Sequence, residues 1–138
     1  MMKVLIAEDN PVNRELLREL LEARGYGVDE ACDGVEALEM LKRARPDILL
    51  LDLGMPKLDG YSVVQKIRKN PTLADLPVMA VTAYAMRGDR EKVLDSGFDG
   101  YLSKPIDAAS LEQELERLLS QPGARHISPG EATPKCAF

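Results

Sequence analysis

Residues 47–60 of this 138-residue chain have the sequence DILLLDLGMPKLDG, which decides the fold. The run at 48–51 is apolar on both of the faces that a strand presents, which is typical of a strand buried on both sides in a parallel sheet. Asp52 follows this run, and a turn containing glycine and proline leads to a predicted helix over 60–70. The sequence therefore predicts a buried strand over 47–51, with a carboxylate at its carboxyl end.

On either side of this strand, short apolar runs alternate with longer amphipathic stretches. Strands are predicted at 4–7, 28–32, 47–51, 77–82 and 101–103, and helices at 12–24, 34–45, 60–70, 89–96 and 108–119. Strands that are separated by helices indicate parallel pairing, with helices on both faces of one sheet. Five such β–α units predict a doubly wound α/β fold.

Apolar spacing also predicts which residues of the helices face the core. In the first helix these are Val12, Leu16, Leu17, Leu20 and Leu21, and in the second Val35, Leu38 and Leu41. In the third they are Val63, Val64 and Ile67, and in the last Leu111, Leu115, Leu118 and Leu119. Cys32 and Met79 are interpreted as further core residues.

Composition limits the classes of function. The chain is 45% hydrophobic and 30% charged, which is typical of a folded globular domain, and its net charge of −5 disfavours general nucleic-acid binding. No segment is long enough to span a bilayer, and two cysteines do not make a disulfide framework, so we expect a cytoplasmic protein with no membrane partner. We predict one domain over residues 1–120, and a flexible tail over 121–138, which lacks apolar periodicity.

Polar residues follow four of the five predicted strands. They are Glu8, Asp9, Asp52, Thr82 and Lys104. Open parallel sheets bind ligands at the carboxyl ends of their strands, so we expect these side chains to converge. Three clustered carboxylates repel one another unless a cation lies among them, and oxygen ligands of this kind suit Mg²⁺.

The same set predicts phosphoryl chemistry. A lysine and a hydroxyl opposite a metal ion would hold phosphoryl oxygens, and a carboxylate is a suitable nucleophile. Each residue alone has an ordinary structural interpretation as a helix cap, a loop residue or a solvated charge. Their occurrence together at four strand ends favours a phosphoryl-transfer site.

Four stretches resemble the response-regulator receiver family. They are VLIAEDN from Val4, LLDLGMPKLDG from Leu50, VTAYA from Val81 and YLSKPI from Tyr101. The resemblance covers roughly residues 3–119, and it is greatest to single-domain DivK-type regulators and the receivers of hybrid histidine kinases. It implies a flavodoxin-like (βα)5 sandwich, with a five-stranded parallel sheet in the order 2-1-3-4-5.

The resemblance also implies a role for each site residue. Asp52 would be the phospho-acceptor. Asp9 and Asp52 would bind Mg²⁺ directly, together with the backbone carbonyl of Gly54, and Glu8 would bind it through water.

Further residues would form the switch. Thr82 and Lys104 would hold the phosphoryl oxygens, and the peptide bond between Lys104 and Pro105 would be cis. Tyr101 matches an aromatic residue that swings inward on activation. Gly54 and Tyr84 would flank the mouth of the site, where we expect them to tune the lifetime of the phosphate.

The predicted function is that of a two-component response regulator. A histidine kinase or His-phosphotransfer protein would phosphorylate Asp52, and the last two βα units would then bind a downstream protein partner. We expect a signalling domain and not an enzyme, since it assists only its own phosphorylation and dephosphorylation, and we expect a monomer or weak dimer.

The alternatives are a phosphate sink and a phosphorylation-independent interaction module. An aspartyl phosphatase is disfavoured, because Gly54 stands where a second aspartate is usual. A basic patch at Arg87, Arg90 and Lys92 is either a partner-binding surface or a solvated helix face.

Overall fold

Strands and helices alternate along the whole of the chain that the computed structural model describes, which is residues 2–55, 57–83 and 89–120. The strands are β1 (Lys3–Ala7), β2 (Gly27–Ala31), β3 (Ile48–Asp52), β4 (Val78–Thr82) and β5 (Gly100–Ser103). The helices are α1 (Pro11–Glu22), α2 (Gly34–Arg43), α3 (Gly60–Lys69), α4 (Asp89–Asp95) and α5 (Ala108–Leu119). The predicted elements are confirmed, with bounds that differ by at most two residues. The predictions for Tyr84, Arg87 and residues 121–138 lie outside the described residues.

The five strands form one parallel sheet in the order β2-β1-β3-β4-β5, which confirms the predicted fold class and strand order. Every residue of β3 is buried, because a hydrophobic cluster covers each face of the sheet. Leu49 belongs to one cluster with Val63 of α3, whereas Leu50 belongs to the other with Leu17 of α1. In the described part of the chain, no helix is both long and apolar enough to cross a lipid bilayer.

The predicted inner faces of α3 and α5 are confirmed, and so is the burial of Met79. Buried residues include Val63, Val64, Ile67, Leu111, Leu115 and Leu118, while Leu119 is partly buried. Gly60 brings α3 against the end of β3, since a Cβ atom there would lie 2.7 Å from the carbonyl oxygen of Asp52. Asp59 caps this helix by accepting a hydrogen bond from the Ser62 N–H. The start of α3 is thereby fixed beside Asp52.

The predicted inner face of α1 is wrong in part. Leu17 and Leu21 are buried, whereas Val12 is 73% and Leu16 40% exposed. At about 100° per residue, Leu16 lies roughly 100° and Val12 roughly 140° around the helix from Leu17. The apolar stripe is wider than the contact with the sheet, and the packing of Leu17 and Leu21 turns its other side to solvent.

Two further core predictions are corrected near α2. Val35 is 45% exposed, because Ala37 and Leu41 define the buried side and Val35 points away from Ala37 by roughly 160°. Cys32 is exposed and not buried. Strand β2 ends at Ala31, so Cys32 lies in the loop beyond the strand, where its backbone N–H donates to the Glu36 carboxylate.

An ion pair between Arg68 and Asp99 ties α3 to the beginning of β5, and we name these two residues the Arg68–Asp99 cluster. The guanidinium donates to Asp99 Oδ2 at 2.8 Å and to the carbonyl oxygens of Ala74, Leu76 and Gly97. Asp99 Oδ2 also accepts the Val78 N–H at the start of β4. This cluster lies at the end of β4 and β5 opposite to the carboxyl ends of the strands.

Candidate functional site

The carboxyl ends of four neighbouring strands bring the predicted site residues together. Glu8 and Asp9 follow β1, Asp52 ends β3, Thr82 ends β4 and Lys104 follows β5. Because these strands are adjacent and parallel, their side chains line one cleft of about 440 Å³. The cleft is lined by Glu8, Asp9, Asn10, Asn13, Asp52, Leu53, Gly54, Tyr61, Thr82, Ala83, Lys92, Val93, Tyr101 and Lys104.

Three carboxylates lie close together in this cleft. One oxygen from each of Glu8, Asp9 and Asp52 lies within 4.8 Å of the others. Glu8 is only 1% exposed and Asp52 is buried, whereas Asp9 is exposed. Like charges held so close in a buried place repel one another, so this arrangement favours a bound cation.

Lys104 is the cation that faces these carboxylates. Its Nζ atom lies 2.9 Å from Glu8 Oε1 and 3.3 Å from Asp52 Oδ2. Burial by itself would lower the pKa of Lys104, but its contacts with Glu8 and Asp52 raise it above the ordinary value. The Lys104–Pro105 peptide bond is cis, as predicted. Pro105 itself is exposed and does not line the cleft.

Lys104 does not compensate the charge of the three carboxylates. Burial raises the pKa of Glu8, the nearby Asp52 adds to the shift, and Lys104 only partly opposes it. Although Glu8 Oε1 lies close to Lys104, it accepts no hydrogen bond of ordinary geometry from the described residues. A buried carboxylate oxygen without a hydrogen bond, beside two further carboxylates, is a donor set that fits Mg²⁺.

The remaining predicted residues surround these carboxylates. Thr82 is buried at the end of β4, and its carbonyl oxygen accepts the Lys104 N–H at 2.7 Å. The Gly54 N–H donates to Asp52 Oδ1 at 3.1 Å, and a Cβ atom at this glycine would meet nothing within 4 Å. Tyr101 is half-buried and lines the cleft.

Sequence reasoning missed several residues of the cleft. Asn10 and Asn13 stand beside the acidic pair, and their positions at the N-cap and in the first turn of α1 could have identified them. Tyr61 of α3 and Lys92 of α4 come together only in the folded chain, with the Lys92 ammonium 5.5 Å from the centre of the Tyr61 ring. No spacing in the sequence indicates that contact.

The model of the response regulator receiver domain family matches residues 4–116. The chain is 38% identical over 116 residues to the polar-differentiation response regulator DivK of Brucella anthropi, which covers 84% of this chain and 94% of that protein. DivK of Brucella ovis is 37% identical over the same shares of the two chains.

Solved structures give the same similarity. The receiver domain of the sensor histidine kinase PA1611 from Pseudomonas aeruginosa, with a magnesium ion coordinated in its active site cleft, is 39% identical, has a TM-score of 0.80, and covers 86% of this chain and 98% of that one. The chemotaxis protein CheY4 of Vibrio cholerae is 30% identical with a TM-score of 0.80, over 86% of this chain and 99% of that chain.

Proposed function

This chain belongs to the response regulator receiver domain family of two-component signalling, and we propose that Asp52 is its phospho-acceptor in a reaction that depends on Mg²⁺. Membership of this family implies a kinase that donates the phosphoryl group. The family is one of signalling proteins, and we propose that the domain assists only its own phosphorylation and dephosphorylation.

The placement of Asp52 among the three carboxylates carries the proposal. Glu8 is almost fully buried and accepts the Asn10 N–H, so its carboxylate is turned inward. Asp9 is exposed at the rim. Asp52 and Glu8 are both buried and both contact Lys104, but Asp52 lies on the strand next to the one that ends in Thr82. It therefore has a cation and a hydroxyl beside it to hold an incoming phosphoryl group.

The residues then divide the chemistry among them. An Asp52 oxygen attacks the phosphorus of a phosphohistidine, a P–O bond forms, and the P–N bond breaks with its electron pair leaving on the imidazole. Lys104 and Thr82 hold the phosphoryl oxygens as the bond is made. Asp9, Asp52 and the Gly54 carbonyl would hold Mg²⁺, with Glu8 acting through water. The ion supplies positive charge beside the phosphoryl oxygens when it is bound.

Phosphorylation would change the ends of β4 and β5 together. The Lys104 N–H is bonded to the Thr82 carbonyl, so a shift of Thr82 towards the phosphoryl group is transmitted to β5. We propose that Tyr101 moves with it, and that the surface of the last two βα units then binds a downstream partner. In amide NMR spectra, beryllofluoride with Mg²⁺ should move resonances of residues 100–119 in the wild type but not in Thr82→Ala.

A protein donor has to cover the mouth of the cleft, because its phosphohistidine must reach Asp52. The exposed side chains of Val12 and Leu16 lie one turn apart on α1, next to Asn10 and Asn13 of the cleft. We propose that this pair contacts a phosphohistidine-bearing protein. Leu16→Ser should slow transfer from a histidine kinase that phosphorylates the wild type, and should leave labelling by acetyl phosphate unchanged. Equal rates from the kinase would contradict this contact.

Intact-mass analysis after incubation with Mg²⁺ and acetyl phosphate tests the main proposal. The wild type should gain one phosphoryl group, while Asp52→Asn, and the wild type in EDTA, should gain none. Asp33→Asn is a matched control, since Asp33 lies outside the cleft and pairs with Lys57. An adduct on Asp52→Asn would place the acceptor elsewhere, and a wild type that neither gains mass nor binds beryllofluoride would overturn the proposal.

The proposal also includes a cytoplasmic location and a monomer or weak dimer. Size-exclusion chromatography with light scattering, with and without beryllofluoride, tests the oligomeric state. A phospho-form that decays within seconds, with no change in amide resonances outside the cleft, would instead favour a phosphate sink.

A further inference from the structure

We propose that Arg14 of α1 is a positioning residue for the divalent cation, and that it acts by fixing the backbone that carries Glu8 and Asp9. The inference rests on the proposed Mg²⁺ site. Arg14 does not line the cleft, and nothing in its sequence context points to the metal.

Arg14 joins the acidic pair to β2 through two hydrogen bonds. Its Nη1 donates to the carbonyl oxygen of Glu8 at 2.9 Å, and its Nε donates to Glu30 Oε1 at 2.9 Å. The Arg14 side chain is 18% exposed, so these bonds are largely shielded from solvent. A guanidinium is planar and presents its donors in a fixed fork, so holding Glu30 also sets the direction of the bond to Glu8.

The ion pairs of Glu30 favour its ionised form, which accepts the hydrogen bond from Arg14. Burial alone would raise the pKa of Glu30, but ion pairs with Arg18 and Arg14 lower it. Arg18 pairs with Glu30 and Glu22, and makes no contact with Glu8 among the described residues. Arg14 and Arg18 therefore share one partner and differ in whether they reach the backbone of the site.

The peptide between Glu8 and Asp9 is restrained by these bonds. The Glu8 N–H donates to the Ala31 carbonyl of β2 at 3.1 Å, and the Glu8 carbonyl accepts from Arg14. This carbonyl belongs to the peptide group that joins Glu8 to Asp9. Its bond to Arg14 therefore restricts the position of the Asp9 backbone, from which the carboxylate extends. Asp9 is exposed, and a restrained backbone lowers the entropy lost when its side chain takes a metal. Replacing a residue that hydrogen-bonds to a metal ligand commonly changes metal affinity by about 10- to 100-fold.

Isothermal titration of the full chain with MgCl₂ tests the inference. Arg14→Ala should weaken Mg²⁺ binding by about tenfold, and Arg14→Lys should not restore it, since an ammonium on a flexible stem does not present two fixed donors. Arg18→Ala should bind within about twofold of the wild type, because it leaves the bond to Glu8 in place. Thermal unfolding without Mg²⁺ reports the structural effect of each variant separately.

Each outcome is decisive. Wild-type affinity in Arg14→Ala, or an equal loss in Arg18→Ala, would overturn the role of Arg14. If Arg14→Ala does not fold, Glu30→Ala takes its place: weaker Mg²⁺ binding is then expected because Arg14 loses its orienting partner, and unchanged binding would overturn the inference. A wild type that binds no Mg²⁺ would instead overturn the proposed function.

Discussion

The Arg68–Asp99 cluster and the acidic cleft bury charge to a similar degree, but they balance it differently. The side chains of Arg68 and Asp99 are 15% and 17% exposed, and those of Lys104 and Asp52 are 16% and 8% exposed. All three guanidinium nitrogens of Arg68 donate hydrogen bonds, to the Asp99 carboxylate and to backbone carbonyl oxygens. In the cleft, three carboxylates cluster, and Lys104 pairs with two of them, Glu8 and Asp52.

Charge imbalance, and not the degree of burial, therefore separates the candidate functional site from the Arg68–Asp99 cluster. A balanced buried pair with its hydrogen bonds made contributes to the fold, and breaking it is costly. A cluster of carboxylates without enough positive charge destabilises the folded chain, and a bound cation that compensates the charge stabilises it. Burial raises the pKa of Glu8, and the nearby Asp52 carboxylate adds to the shift despite the opposing contact with Lys104.

The largest effect is expected from Arg68→Ala. This change removes the guanidinium from three carbonyl oxygens and from the half-buried Asp99 carboxylate, so we expect a loss of about 3–5 kcal/mol in the free energy of unfolding. Urea denaturation measures it. Arg45→Ala is the control: Arg45 bonds Thr72 and Asp75 nearer the surface, so about 1 kcal/mol or less is expected. Similar losses in both variants would contradict the expectation that the Arg68–Asp99 cluster contributes more to stability than the contacts of Arg45.

Replacing one aspartate in each place should change stability in opposite directions. Asp99→Asn weakens the bonds to Arg68 and should cost about 2 kcal/mol. Asp52→Asn removes one of three crowded carboxylates and should stabilise the chain in EDTA by on the order of 1 kcal/mol. Urea denaturation at pH 7 gives both values, and changes of the same sign would contradict the comparison.

Magnesium should stabilise the wild type and remove the advantage of Asp52→Asn. At ten times its dissociation constant, a ligand that binds only the folded state adds about 1.4 kcal/mol. Asp99→Asn keeps the cleft intact and should gain as much as the wild type, whereas Asp52→Asn should gain less. Unfolding is compared in MgCl₂ and in EDTA at matched ionic strength, and an equal gain in all three chains would locate the bound ion outside the cleft.

The smallest effect concerns pH. The pKa of Glu8 is raised above 4.5 by burial and by Asp52, so the folded chain retains a proton that the unfolded chain releases. Its contribution to stability is present below pH 4.5 and is lost as the pH rises through the raised pKa. The free energy of unfolding of Glu8→Gln, measured by urea denaturation, should therefore rise relative to that of the wild type between pH 4 and pH 7.

Glu114→Gln provides the opposite case. Burial alone would raise the pKa of Glu114, but Arg117 and the Tyr101 N–H lower it. The stability that Glu114 contributes is present above pH 4.5 and is lost as the pH falls through the lowered pKa. The deficit of Glu114→Gln should thus shrink with acidification, and parallel pH curves for the two variants would refute both assignments.

The site was predictable to the extent that it depends on strand ends. Asp52, Thr82 and Lys104 could be assigned because each follows a short apolar run, and a parallel sheet brings the ends of such runs to one edge. Sequence did not distinguish the buried Glu8 from the exposed Asp9, since adjacent residues differ only in which way the loop after β1 turns.

The helix faces were less predictable. Val12, Leu16 and Val35 have the spacing of core residues and are exposed. An amphipathic stripe indicates that a helix has an apolar side. How the helix is rotated about its own axis depends on the shape of the sheet against which it packs. The same dependence explains why the contact between Lys92 and Tyr61 went unpredicted.

The alternation of strands and helices, and the polar residues that end the strands, follow from local sequence, because strand and helix periodicity and turn residues act over a few positions. Tertiary structure alone decided that Lys104 faces Glu8, that Arg14 reaches the Glu8 carbonyl, and that Arg68 closes on Asp99. These contacts join residues far apart in the sequence or on different elements, and they form only when packing has fixed the distance and direction between two elements.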